Sequence, residues 1–101
     1  MIKVLINYKE NFFDSLEIKG HANSGPYGHD LVCAAVSAII TGGLNNLENP
    51  KSFKITLQEG HVEVIKNKEI SEHDEIVIQT INCVLKTRAE SNKQFISIKN
   101  L

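Results

Sequence analysis

The chain predicts an α+β fold: a mainly antiparallel sheet with two helices, in the order ββαββαβ. Three observations carry the prediction. Two pairs of short segments alternate with period two, and each pair is joined by turn residues, the mark of a hairpin. Two longer runs hold apolar residues at helical spacing, each preceded by a capping residue. Strands that arrive in hairpins favour antiparallel pairing over a parallel sheet wrapped by helices. The 101 residues fit one domain, 1–101, of a size that buries a core without disulfides or metals.

The elements follow in order. Residues 2–8 are rich in β-branched side chains and read as a strand. Asn11 begins a turn, and residues 13–19 read as a second strand with Leu16 and Ile18 on one face. Gly20 to His29 has no periodicity and holds three glycines and Pro26, so it reads as loop. Asp30 suits the N-cap of a helix that starts at Leu31, its carboxylate accepting from the N–H of Val32 or Cys33. The run from Leu31 to Ile40 is apolar nearly all round, which predicts burial on most sides, with a partner subunit as one covering surface. Thr41-Gly42-Gly43 weakens this helix, but Leu44 and Leu47 keep its spacing, and it is expected to end before Asn49-Pro50. Residues 53–58 and 61–66 alternate about a Glu59-Gly60 turn and form the second hairpin. Ser71 and Asp74 resemble a capping box. The helix from Asp74 to Ala89 is expected to turn Val77, Ile81, Val84 and Leu85 inward, and Phe95, Ile96 and Ile98 suggest a last strand.

Composition excludes several classes. Hydrophobic residues make up 42% of the chain, which argues against intrinsic disorder. A net charge of -1 argues against a dedicated binder of nucleic-acid backbones, which carries a basic stripe. Two cysteines, Cys33 and Cys83, are too few for a disulfide scaffold. Lys3, Asn7, Lys9 and Glu10 break up the opening apolar run, so no signal peptide is expected. No stretch is long and apolar enough to span a bilayer. A reducing cytoplasm, where a thiol stays free, is the expected location.

The segment from Gly20 to Cys33 holds the candidate chemistry. A histidine, His21, opens a loop rich in glycine and polar residues, and a cysteine follows just after a helix cap. At the third helical position, Cys33 gains from the positive helix end and from N–H donors, which stabilise a thiolate. The same donors suit the oxyanion formed when a carbonyl is attacked. A loop of this length can fold an imidazole over the sulfur and lower its pKa further. The pattern therefore points to a cysteine nucleophile with a histidine base. The alternative, a buried packing cysteine with a solvated loop histidine, stands beside it, because free cysteine is among the most buried residue types.

Gly-His-Ala at 20–22, followed by Gly-His-Asp-Leu-Val-Cys-Ala-Ala-Val-Ser-Ala-Ile at 28–39, closely resembles the signature of the ribosomal-processing cysteine proteases, the Prp family. The resemblance implies a homodimeric cysteine endopeptidase that needs no cofactor and no metal. It further implies removal of the N-terminal extension of large-subunit ribosomal protein twenty-seven, cut after an aromatic pair. Residue by residue, it makes Cys33 the nucleophile, His21 the general base and acid, and Asp30 a supporting aspartate. The family position held here by His29 looks variable, which counts against His29 as the base. The partners it implies are a ribosomal protein precursor and a second copy of the chain, with no membrane or nucleic acid.

Other constellations are weaker. His29 and Cys33 lie four apart, but no C-x-x-C pair supports a structural zinc site. His61 and His73 are expected to face solvent, Cys83 to pack in the core, and Tyr27 is a loop candidate for peptide contact. Gly42-Gly43 lacks the flanking Lys-Ser/Thr of a phosphate loop. Two other functions use the same residues: a non-catalytic ribosome-associated module that holds a peptide, and a redox sensor built on an activated thiol.

Overall fold

The computed structural model describes residues 1–26 and 28–101. Five strands and two helices follow the expected order: β1 (Ile2–Lys9), β2 (Phe12–Lys19), α1 (Leu31–Leu44), β3 (Phe53–Gln58), β4 (His61–Lys66), α2 (Glu72–Ser91) and β5 (Ile96–Asn100). A short 3₁₀ turn, Pro50–Ser52, leads into β3. The sheet order is β3-β4-β2-β1-β5. The β1–β2, β2–β4 and β3–β4 pairs are antiparallel, whereas β5 joins β1 in parallel, with Ile2 opposite Ile96. The sheet is therefore mixed: the segment between α2 and β5 returns the chain to the far side of β1.

Alternation in the strands sends one set of side chains inward. Ile2, Val4 and Ile6 of β1, Leu16 and Ile18 of β2, and Val64 of β4 are buried in a single core with residues of both helices. Phe13 also points inward, although it lies three residues, not two, from Leu16. The register explains this: Asn7 pairs with Ser15 but Tyr8 pairs with Phe13, so Asp14 is an extra residue at a bulge. The Phe13 ring then meets Phe53 of β3 with centroids 6.3 Å apart.

In α1, Val32, Val36, Ile40 and Leu44 are buried, four residues apart along one stripe. Leu31, Ala34 and Ala38 are exposed, so the all-round apolar run leaves an uncovered outer face. The helix ends at Leu44, and Leu47 is buried beyond it. At Gly43 a side chain would collide with Ile81, which accounts for a glycine inside a helix where α1 crosses α2.

The second helix begins two residues earlier than its spacing predicts. Ser71 caps it, accepting from the Asp74 N–H at 3.1 Å. Val77, Ile81 and Leu85 are buried as expected, together with Ile78, Asn82 and Ala89. Val84 and Cys83 are instead exposed, at the solvent margin of the helix, which corrects the expectation of core positions for both. Asp74 and Glu75 are buried in the first turn. Asp74 accepts from the N–H groups of Glu48 and Asn49, each at 2.9 Å, and so ties the segment after α1 to the start of α2.

Candidate active site

The site forms where β2 ends, α1 begins and the β3–β4 turn passes close by. Asp30 caps α1: its Oδ1 accepts from the Cys33 N–H at 3.0 Å. The same carboxylate accepts from the N–H of Ser24 at 3.2 Å and from the Ser24 hydroxyl. The Ser24 hydroxyl and the Cys33 N–H hold the Asp30 carboxyl well below the usual carboxylate range. Asp30 thus clamps the loop to the helix start, as the capping argument expects.

Cys33 is half-buried, and its Sγ accepts from the Ala22 N–H at 3.2 Å. This contact places the residue after His21 directly on the sulfur. Burial pushes the Cys33 thiol up, the Ala22 N–H opposes this, and the Asp30 carboxylate adds to the rise. A helix N-terminus and a histidine in the loop predict the opposite direction. The direction differs because burial disfavours the thiolate, and the capping carboxylate adds a negative charge beside the sulfur.

His21 is exposed at the end of β2. Its ring lies over Gly60 in the β3–β4 turn, so closely that a Cβ on Gly60 would stand 2.8 Å from Nε2. Among the described residues no hydrogen bond joins His21 to Cys33. Both side chains nevertheless line one cavity of about 760 Å³, with Val36 and Ile40 of α1 and Leu57 and Val62 of the second hairpin. His29 is exposed, and the described cavity wall includes His21 rather than His29. Tyr27 lies outside the described residues.

Two groups of donor atoms could in principle hold a cation, each within 4.8 Å of one another: Glu17, His61 and Glu63, and Glu48, His73 and Asp74. Neither includes His21, Asp30 or Cys33. In the second, the Asp74 oxygens are already engaged by backbone N–H groups and by the His73 ring at 2.8 Å. His61 is half-buried with Nε2 3.4 Å from Glu17. Both histidines were expected to face solvent: His73 is exposed as expected, whereas His61 is only half-buried, on the cavity wall. The cavity's contact with the β3–β4 turn is the feature sequence spacing did not reveal. Gly60 sits 39 positions from His21, and a glycine in a turn needs no other explanation.

The arrangement is a thiol and an imidazole on the wall of one cavity lined by both apolar and polar side chains. A profile of the cysteine protease Prp family matches residues 1–97. The chain belongs to that family. A ribosomal processing cysteine protease Prp from Staphylococcus aureus is 29% identical over 78% of each chain, and one from Mycoplasma pneumoniae is 34% identical over 99% of this chain and 95% of its own length. A crystal structure of the essential ribosomal processing protease Prp from S. aureus, in complex with a covalently linked product peptide, superposes with a TM-score of 0.89. It is 27% identical, with both chains covered completely. The same protease in complex with a substrate peptide gives a TM-score of 0.78 at 25% identity. Family membership makes this chain a cysteine-type endopeptidase, a hydrolase, and the similarity in fold covers every element described above.

Proposed function

We propose that the chain removes the N-terminal extension of large-subunit ribosomal protein twenty-seven, with Cys33 as nucleophile and His21 as general base and acid. The observation that carries the reading is the shared cavity: the Cys33 thiol and the His21 imidazole open onto the same groove, and the second histidine on its wall, His61, has Glu17 beside it. The relatives' names give ribosomal processing as their role, and the S. aureus relative is found with product and substrate peptides. The walls formed by Val36, Ile40, Leu57 and Val62 suit a peptide bearing aromatic side chains. Residues 1–101 act as one domain.

The chemistry follows from the groups present. In the peptide-free protein the thiol is held protonated by burial and by the Asp30 charge. A peptide in the groove displaces water and brings its scissile carbonyl to Sγ. His21 takes the thiol proton, and the sulfur bonds to the carbonyl carbon. The N-terminal turn of α1 stabilises the resulting oxyanion. His21 then gives its proton to the leaving amine, and water, deprotonated by the same imidazole, releases the acyl group and restores the thiol. The role of Asp30 is support: it fixes the Cys33 backbone and anchors the loop through Ser24.

We place the enzyme in the cytoplasm as a homodimer. The exposed outer face of α1, with Leu31 80% accessible, supports the second copy. The deciding experiment is incubation with the ribosomal precursor, followed by mass spectrometry of the new N-terminus. Cys33→Ser should bind the precursor without cutting it. Cleavage by that variant at the unmodified enzyme's rate removes Cys33 from the nucleophile role, and binding without cleavage by the unmodified protein favours a peptide-holding module instead.

A further inference from the structure

The β3–β4 turn reaches His21 through Gly60, which has no side chain to hold the ring away. We propose that Gly60 is a positioning residue for the reaction: it is the seat on which the His21 imidazole rests at the rim of the Cys33 cavity. This rests on the assignment of His21 as the base.

Two contacts support it. A Cβ at Gly60 would meet three atoms of the His21 ring, Nε2 at 2.8 Å, Cε1 at 3.4 Å and Cδ2 at 3.6 Å. The N–H of Gly20, the residue before His21, donates to the Gly60 carbonyl at 3.0 Å. Backbone and ring on either side of the His21 α-carbon are therefore both referred to the same glycine. Gly60, His21 and Cys33 all belong to the wall of one cavity.

Backbone conformation alone does not demand a glycine here. Gly60 has φ +74, in the left-handed region, but that region also accepts asparagine. The chain itself shows this: Glu10, Asn11 and Asn23 adopt φ of 54, 69 and 55. The β1–β2 turn, with Glu10 and Asn11, thus manages without glycine. At the β3–β4 turn the ring of His21 leans on it, and any side chain displaces the ring. A displacement of about 1 Å in a reacting group costs on the order of 10²-fold in rate.

The test is a double-mutant cycle of Gly60→Asn with His21→Ala, read by thermal unfolding. Two further readouts are cleavage of a synthetic peptide spanning the ribosomal protein extension and the NMR signal of the His21 Cε1–H. Gly60→Asn alone should lower kcat by about 10²-fold with KM near that of the unmodified enzyme, move the ring signal and lower Tm. In the His21→Ala background the same substitution should lower Tm clearly less, because the ring it strikes is gone and only the backbone strain of the left-handed φ remains. If Gly60→Asn does not fold, a folded Gly60→Asn/His21→Ala protein supports the seat and an unfolded one overturns it. Equal loss of Tm in both backgrounds, or full cleavage by Gly60→Asn beside an inactive His21→Ala, also overturns it. Normal cleavage by His21→Ala refutes the assignment of the base instead, and the unfolding cycle still decides the seat.

Discussion

Replacing Glu75, in the first turn of α2, should cost substantial stability, through a mechanism the register makes plain. The bulge at Asp14 interrupts the β1–β2 ladder beside Phe13. The Phe13 N–H, buried and turned toward α2, donates to both Glu75 oxygens at 3.2 and 3.1 Å. Gln79 Nε2 donates to the same carboxylate at 2.8 Å. Glu75 is only 9% exposed, so water does not replace it. A hydrogen bond to a charged group contributes about 1.5–3 kcal/mol, and a buried donor left unpaired costs about 1–3 kcal/mol. These overlap, since one lost partner causes both, and Glu75→Ala should cost about 2–3 kcal/mol. In a protein of this size that lowers Tm by roughly 10–20 °C. Glu75→Gln keeps an acceptor facing Phe13 and should cost about 1 kcal/mol, or roughly 4–8 °C. Differential scanning calorimetry of the three proteins at pH 7 measures both. Equal losses for Ala and Gln, or an Ala loss under about 0.5 kcal/mol, would refute the claim that Glu75 completes the bulge.

Four further outcomes are expected. Alkylation of the peptide-free protein should modify exposed Cys83 before half-buried Cys33, with mass-mapped peptides giving the order; the reverse order would contradict the raised Cys33 thiol. Asp30→Asn keeps a capping side chain but removes the charge that helps raise the thiol, so Cys33 should alkylate faster at a fixed neutral pH; an unchanged rate would show that the carboxylate does not act on the sulfur. Burial alone would raise the Asp74 carboxyl, but the Glu48 N–H, the His73 ring and the Asn49 N–H outweigh it and hold it below the ordinary range. Its contribution is therefore complete above about pH 4 and is lost as pH falls through its lower folded value, so Asp74→Asn should be less stable at pH 7 and decline less in acid, as urea unfolding at both pH values would read. His21→Ala should slow acylation sharply in a single-turnover assay with the ribosomal peptide, and a normal rate would move the base role elsewhere.

Local signals in the chain account for a large part of this structure. The second hairpin lies at 53–58 and 61–66 as its alternation predicts, because both strands keep strict period two about a two-residue turn. The Asp30 cap was legible for the same reason: it depends on residues three apart. Features that depend on distant residues were not. The bulge at Asp14 needs the Tyr8–Phe13 pairing, and the parallel β1–β5 pair joins segments at opposite ends of the chain. Val84 and Cys83 sit at the margin of α2, where apolar character does not determine which way the stripe faces. In the site, spacing nominated His21 and Cys33 and the cavity contains both. The direction of the thiol's shift escaped because it is set by a balance among burial, one N–H and one carboxylate.

The parallel pairing of β5 with β1 has a consequence for how the protein is made. β1 occupies an inner position in the sheet, yet its second neighbour is a strand made after both helices and the other three strands. Until residues 96–100 emerge, β1 is a raw ribbon edge whose Ile2, Val4 and Ile6 belong to the eventual interior. A nascent chain stalled just short of that point is sticky, and emergence of β5, rather than collapse of the helices, completes the sheet.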